Sequence, residues 1–70
     1  MITAQVILPG GIHSFAEVNT WLIDNVGPRA RDRDWVSDSM PWYTEWRFGM
    51  YEYYFAHETD ATLFTLRWAA

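Results

Sequence analysis

With no cysteine anywhere in its 70 residues, this chain can be tied together neither by a disulfide nor by a thiolate-bound metal. A domain of that length buries only about 60% of the surface its unfolded chain exposes. Stability must therefore come from a dense core or from a partner surface. Half of the residues are hydrophobic, and five Trp, four Tyr and four Phe supply the bulk. Each large aromatic can bury roughly 150–250 Å². A few of them fill a core that aliphatic side chains could not fill at this length, so residues 1–70 are expected to form one domain.

The pattern along the chain predicts the elements. Thr3 to Leu8 is a short apolar, partly β-branched run closed by Pro9-Gly10-Gly11, which reads as a strand and a turn. Ser14-Phe15-Ala16-Glu17 is a capping box, in which the Ser14 hydroxyl can accept from the Glu17 backbone N–H. Phe15, Val18, Leu22 and Val26 behind it fall within about 80° of one another on a helical projection. Gly27-Pro28 supplies the stop, so the spacing predicts a helix over 14–26. Residues 31–37 are read as a short, charged edge strand, and Asp38 to Thr44 as a loop around Pro41.

Residues 46–56 read as the longest strand, with Trp46, Phe48, Met50 and Tyr54 on one face and Tyr51, Tyr53 and Phe55 on the other. The alternative is a tight hairpin with Gly49-Met50 as a type II′ turn and Arg47 opposite Glu52. At the C-terminus, Phe64, Leu66 and Trp68 alternate as in a strand, whereas Ala61, Phe64 and Trp68 form a helical stripe. Helix is the preferred reading, because Glu58 and Asp60 put negative charge where the helix dipole favours it. Val18, Leu22, Phe48, Phe64 and Trp68 are the expected core.

The order is then β-α-β-β-α, an α+β fold with a three-stranded antiparallel or mixed sheet in the order 1-3-2 and two helices on one face. That is a ferredoxin-like plait lacking its last strand, or keeping a stub of it at 65–68.

The tail from Tyr53 to Trp68 combines an aromatic strand, a short acidic turn, then Asp60-Ala61, Phe64, Leu66-Arg67 and Trp68. It resembles the ending of small uncharacterised bacteriophage proteins, including some from phages of marine cyanobacteria. The likeness covers about a quarter of the chain. It implies a viral origin and a compact α/β fold, and it carries no activity or site residue with it.

Composition narrows the function classes. The net charge is −4 and every cation is arginine, a balance that disfavours nucleic acid and anionic membranes, which attract excess positive charge. No apolar stretch approaches the roughly 20 residues of a membrane span. Residues 1–8 are too short and lack the basic start of a signal peptide, so the cytoplasm, the host's for a phage protein, is the expected compartment.

No nucleophile–base set, phosphate loop or nucleotide fingerprint is present, so no catalytic or cofactor-binding residue is assigned. His13 and His57 lack metal-ligand spacing, and Asp32, Asp34 and Asp38 lack the glycine and final glutamate of a calcium loop. Gly10-Gly11 could hold an anion at the following helix, but Glu17 in its first turn would repel one. Glu52 lies within an aromatic strand and is expected to pair with Arg47 across a strand, or to lie exposed on a sheet edge, rather than to act as a catalytic acid.

What is left over is aromatic surface. A sheet covered on one side leaves the other open, and Trp46, Phe48, Tyr51, Tyr53 and Phe55 are the expected interface. The expected function is a small phage-type accessory protein acting as a protein–protein interaction module, through self-association or by modulating a host or viral protein. The alternative is a single-stranded nucleic-acid binder that stacks bases on the aromatic face, with Arg29, Arg31, Arg33 and Arg47 meeting phosphates.

Overall fold

Side-chain alternation decides which side of each strand can meet a helix, and three strands here alternate in register. The computed structural model describes residues 1–69. The elements are β1 (Ala4–Pro9), α1 (Phe15–Asn25), a single 3-10 turn (Arg33–Trp35), β2 (Trp42–Arg47), β3 (Met50–Phe55) and α2 (Glu58–Phe64). Beyond α2 the helix widens into a π-type turn over Thr65–Ala69. The sheet order is β1-β3-β2, and both pairings are antiparallel. It follows that β1 and β2 run parallel with β3 between them, and α1 connects the two.

Pairing sets Ala4, Val6 and Leu8 beside Phe55, Tyr53 and Tyr51, which in turn lie beside Trp42, Thr44 and Trp46. This face carries both helices. Leu8, Trp42, Tyr53 and Phe55 form one core with Val18 and Leu22 of α1 and with Ala61, Phe64 and Trp68 from the C-terminal helix. Trp42 is fully buried and donates its indole N–H to Gly27 O at 2.7 Å. A satellite cluster of Ala30, Val36 and Ala56 fills the space beneath the loop that leads into β2.

Helix α1 starts as its sequence directs. Ser14 is the N-cap, and its hydroxyl accepts from the Glu17 N–H at 3.4 Å. At the other end Gly27, at φ 144°, returns its N–H to Leu22 O. The C-terminal segment is helical, with no strand at 65–68. Phe64 and Trp68 are buried as the helical stripe requires, and Leu66 is left outside.

Four expectations are overturned. Residues 31–37 form no strand, because the Asp32 carboxylate accepts from the Asp34 N–H at 2.8 Å and folds Arg33–Trp35 into a tight turn. The second strand is instead Trp42–Arg47, which begins inside the segment that reads as a loop and ends inside the one that reads as the long strand. Pro41 precedes it without interrupting it, as a proline at a strand's start can. The long strand 46–56 is really a hairpin, and its turn residues are Phe48-Gly49 rather than Gly49-Met50. With φ of 53° and 79°, both are left-handed, which marks a type I′ turn. Arg47 accordingly pairs with Met50, and Glu52 lies opposite Glu45. Finally, Phe48 is 96% exposed rather than part of the core, because the turn lifts it off both faces.

Candidate functional site

The hairpin turn places an aromatic side chain, Phe48, in water. A type I′ turn suits Asn-Gly, since both central residues need positive φ. Phe48 takes the first position, where a residue with a Cβ costs about 1–2 kcal/mol. Nothing in the fold repays that cost, as the ring is almost wholly solvated.

The turn is also held firmly. The Gly10 N–H donates to Gly49 O at 2.9 Å, and the Trp46 ring lies on Gly10 so closely that an added Cβ would come within 2.6 Å of it. Only glycine permits this approach. Trp46 also packs on Tyr51, with ring centroids 4.7 Å apart, and Tyr51 stacks on Phe15 at 4.6 Å. Phe15, Tyr51 and Trp46 thus form a continuous aromatic row from the start of α1 to the hairpin. Trp46 remains 57% exposed and Phe15 41%.

The expected interface residues therefore separate. Trp46 and Phe48 lie at the exposed hairpin end, and Tyr51 is half-buried in the row behind them. Tyr53 and Phe55 are fully buried in the helix-covered core and offer nothing to a partner. They face inward because the turn breaks the alternation, so that Trp46 shares a face with Tyr51, Tyr53 and Phe55. Phe15 was not expected at the surface, and its place in the first turn of α1, beside the exposed Ser14, is the signal that could have found it.

The sheet face away from the helices carries a polar cluster. Glu45 and Glu52 sit side by side across the strands. Arg47 reaches Glu45 Oε1 at 3.1 Å and Glu52 Oε1 at 3.8 Å, and Arg33 reaches Glu45 Oε1 at 3.3 Å. The Tyr54 hydroxyl donates to Glu52 Oε1 at 2.7 Å and accepts from Arg33 at 2.7 Å. Burial and the Glu52 hydrogen bond both push the Tyr54 phenol above its ordinary range. Like charges across a strand pair repel, and here two guanidinium groups neutralise them. The expected pairing of Glu52 with Arg47 is present as a diagonal contact. This cluster is a satisfied structural network, with its carboxylates already occupied.

Most of the arginines are engaged. Arg29 donates to Thr44 O at 3.0 Å and lies over the Tyr43 ring, while Arg31 lies over Trp35. Of the histidines, His13 Nε2 lies 3.0 Å from Trp68 O, and His57 Nε2 lies 3.1 Å from Asp38 Oδ1. Among the described residues no three His, Asp or Glu side chains converge as metal ligands would, and no helix is long and apolar enough to cross a membrane. Comparison with protein-family models, with curated proteins and with solved structures yields no match.

Proposed function

We propose that this chain is a small bacteriophage-type accessory protein of the host cytoplasm. It works as a protein–protein interaction module that modulates a host or viral protein through the hairpin end. One observation carries the reading: Phe48 is held at positive φ with 96% of its surface in water. Backbone strain of this kind persists where function selects it. Aromatic anchors beside one another on a rigid support are what protein interfaces use as binding centres. Phe48 and Trp46 are those anchors, with Phe15 and Tyr51 as the support. No catalytic step is assigned, in keeping with a carboxylate pair already held by arginine and tyrosine. We also infer that the topology is a ferredoxin-like plait without its last strand, on the grounds of the β1-β3-β2 order and the α1 connection between parallel strands.

The nucleic-acid alternative loses its stacking platform, since Tyr53 and Phe55 lie in the core, and Arg29, Arg33 and Arg47 are committed to internal partners. Two measurements made side by side distinguish the classes. Labelled single-stranded DNA and RNA should give no anisotropy change at physiological salt, while the immobilised chain should retain a defined protein from a cyanobacterial lysate. Salt-sensitive oligonucleotide binding at sub-micromolar concentration, with no protein retained, would reverse the choice.

A further inference from the structure

We propose that this chain carries a second binding site, a cavity between the end of β1 and the C-terminal helix that takes a small organic acid, one carboxylate on an apolar body. None of the hairpin-end aromatics lines it, so the site does not depend on their role.

The cavity holds about 460 Å³, within the roughly 300–1,000 Å³ of small-molecule sites. Its lining divides by chemistry. Ile7, Leu8 and Ile12 supply an apolar part, and His13, Arg67 and Trp68 supply the polar part. Among the described residues no Asp or Glu lines it. The chain as a whole is acidic, so a lining with a cation and no acid reverses the charge locally.

The polar part is in place before any ligand arrives. The His13 ring meets Trp68 edge-on with centroids 5.1 Å apart, and its Nε2 donates to Trp68 O at 3.0 Å. A carbonyl only accepts, so Nε2 carries the proton, and the contact ties the loop before α1 to the C-terminal helix. Arg67 Cζ lies 4.1 Å from the Trp68 ring centroid. Arg67 also borders the groove on the α1 side with Glu17 and Asp24, yet it forms an ion pair with neither. A cation–π contact fixes the guanidinium and leaves N–H donors for a second partner.

Trp68 supplies the observation that points to a ligand. It is 8% exposed, and its indole N–H has no hydrogen-bond partner among the described residues. A buried donor left unpaired is costly. Indole N–H and guanidinium groups donate only, so both call for an acceptor. A carboxylate is an acceptor opposite in charge to Arg67 and answers both. The apolar part then decides what carries the carboxylate. A bare inorganic anion would lose its water against Ile7, Leu8 and Ile12 without return. An apolar body would instead cover Ile7 and Ile12, which are 48% and 64% exposed.

Nuclear magnetic resonance on the full chain tests this, with 3-phenylpropionate as the probe and its uncharged amide as the control. The indole N–H resonance of Trp68 should shift saturably with the acid, and far less with the amide. Arg67→Gln should weaken binding by about tenfold, through the loss of a charge-assisted hydrogen bond. Ile12→Asp changes an exposed side chain and sets a like charge in the cavity, so it should weaken binding at least as much without disturbing the core. Phe48→Asn should bind the acid as the wild type does, so failure here is distinct from failure of the hairpin reading. No shift at millimolar acid would overturn the proposal, as would equal binding of acid and amide or full binding by Ile12→Asp. Binding of a peptide that ends in Phe, with none of the free acid, would overturn the small-acid assignment in favour of a partner's chain end.

Discussion

Phe48 occupies a backbone position that asparagine fills without strain, and its ring touches almost nothing. Phe48→Asn should therefore raise stability by about 1 kcal/mol, since it relieves the left-handed penalty and removes no packing. Chemical denaturation reads this directly, and a lowered midpoint would mean that the ring has a structural role. Tyr53 makes the opposite case, a polar group kept inside. Its hydroxyl donates to Asn19 Oδ1 at 3.2 Å, and burial pushes its pKa up from 10 to about 12. The unfolded chain then loses this proton before the folded one does. Stability should be flat below pH 10 and fall as the pH rises from 10 toward about 12. In Tyr53→Phe that fall should be smaller, with the remainder due to Tyr54, whose phenol is also raised. Equal alkaline slopes in the two proteins would rule out the Tyr53 contribution.

At the scale of elements, helix α1 depends on local signals, and Ser14→Ala should cost about 0.5–2 kcal/mol, read as a lowered denaturation midpoint. An unchanged midpoint would show that tertiary contacts alone hold the helix start. The β2 edge depends instead on a long-range contact. Arg29→Ala should uncover Thr44 O and open a pairing edge on β2, read as added concentration-dependent assembly. An unchanged mass distribution would mean that Arg29 does not guard that edge.

This contrast explains what the sequence made legible. At Ser14–Glu17 and at Gly27, where cap residues carry a clear local signal, the expected helix is the one found. The order β-α-β-β-α and the sheet order match through two errors that cancel, since the strand expected at 31–37 is absent and the single strand expected at 46–56 spans the end of β2 and all of β3. The strand expected at 31–37 gives way to a local turn capped by Asp32, and long-range contacts then hold that segment. Arg33 reaches Tyr54 and Glu45 across the sheet, while Trp42 gains a buried site next to Pro41. The hairpin turn was hidden by Phe48, a residue that turn chemistry would not choose. The error in the expected interface followed from it, because one misplaced turn reverses the face of every residue beyond it.

The molecule as a whole divides its aromatics between two tasks. Trp42, Tyr53, Phe55, Phe64 and Trp68 replace the cross-links that a chain of this length lacks. Phe15, Tyr51, Trp46 and Phe48 form a row that ends in water, held by the close contact of Trp46 with Gly10. Stability and display are thus separable. In the function proposed here, Phe48 is retained for a partner, at a cost to the fold. The direct measurement is quantitative capture from a cyanobacterial lysate on immobilised wild-type chain and on Phe48→Asn. The expected result is a protein retained by the wild type and lost with Phe48→Asn, although the variant is the more stable of the two. Retention of the same protein in equal amount by both would contradict it.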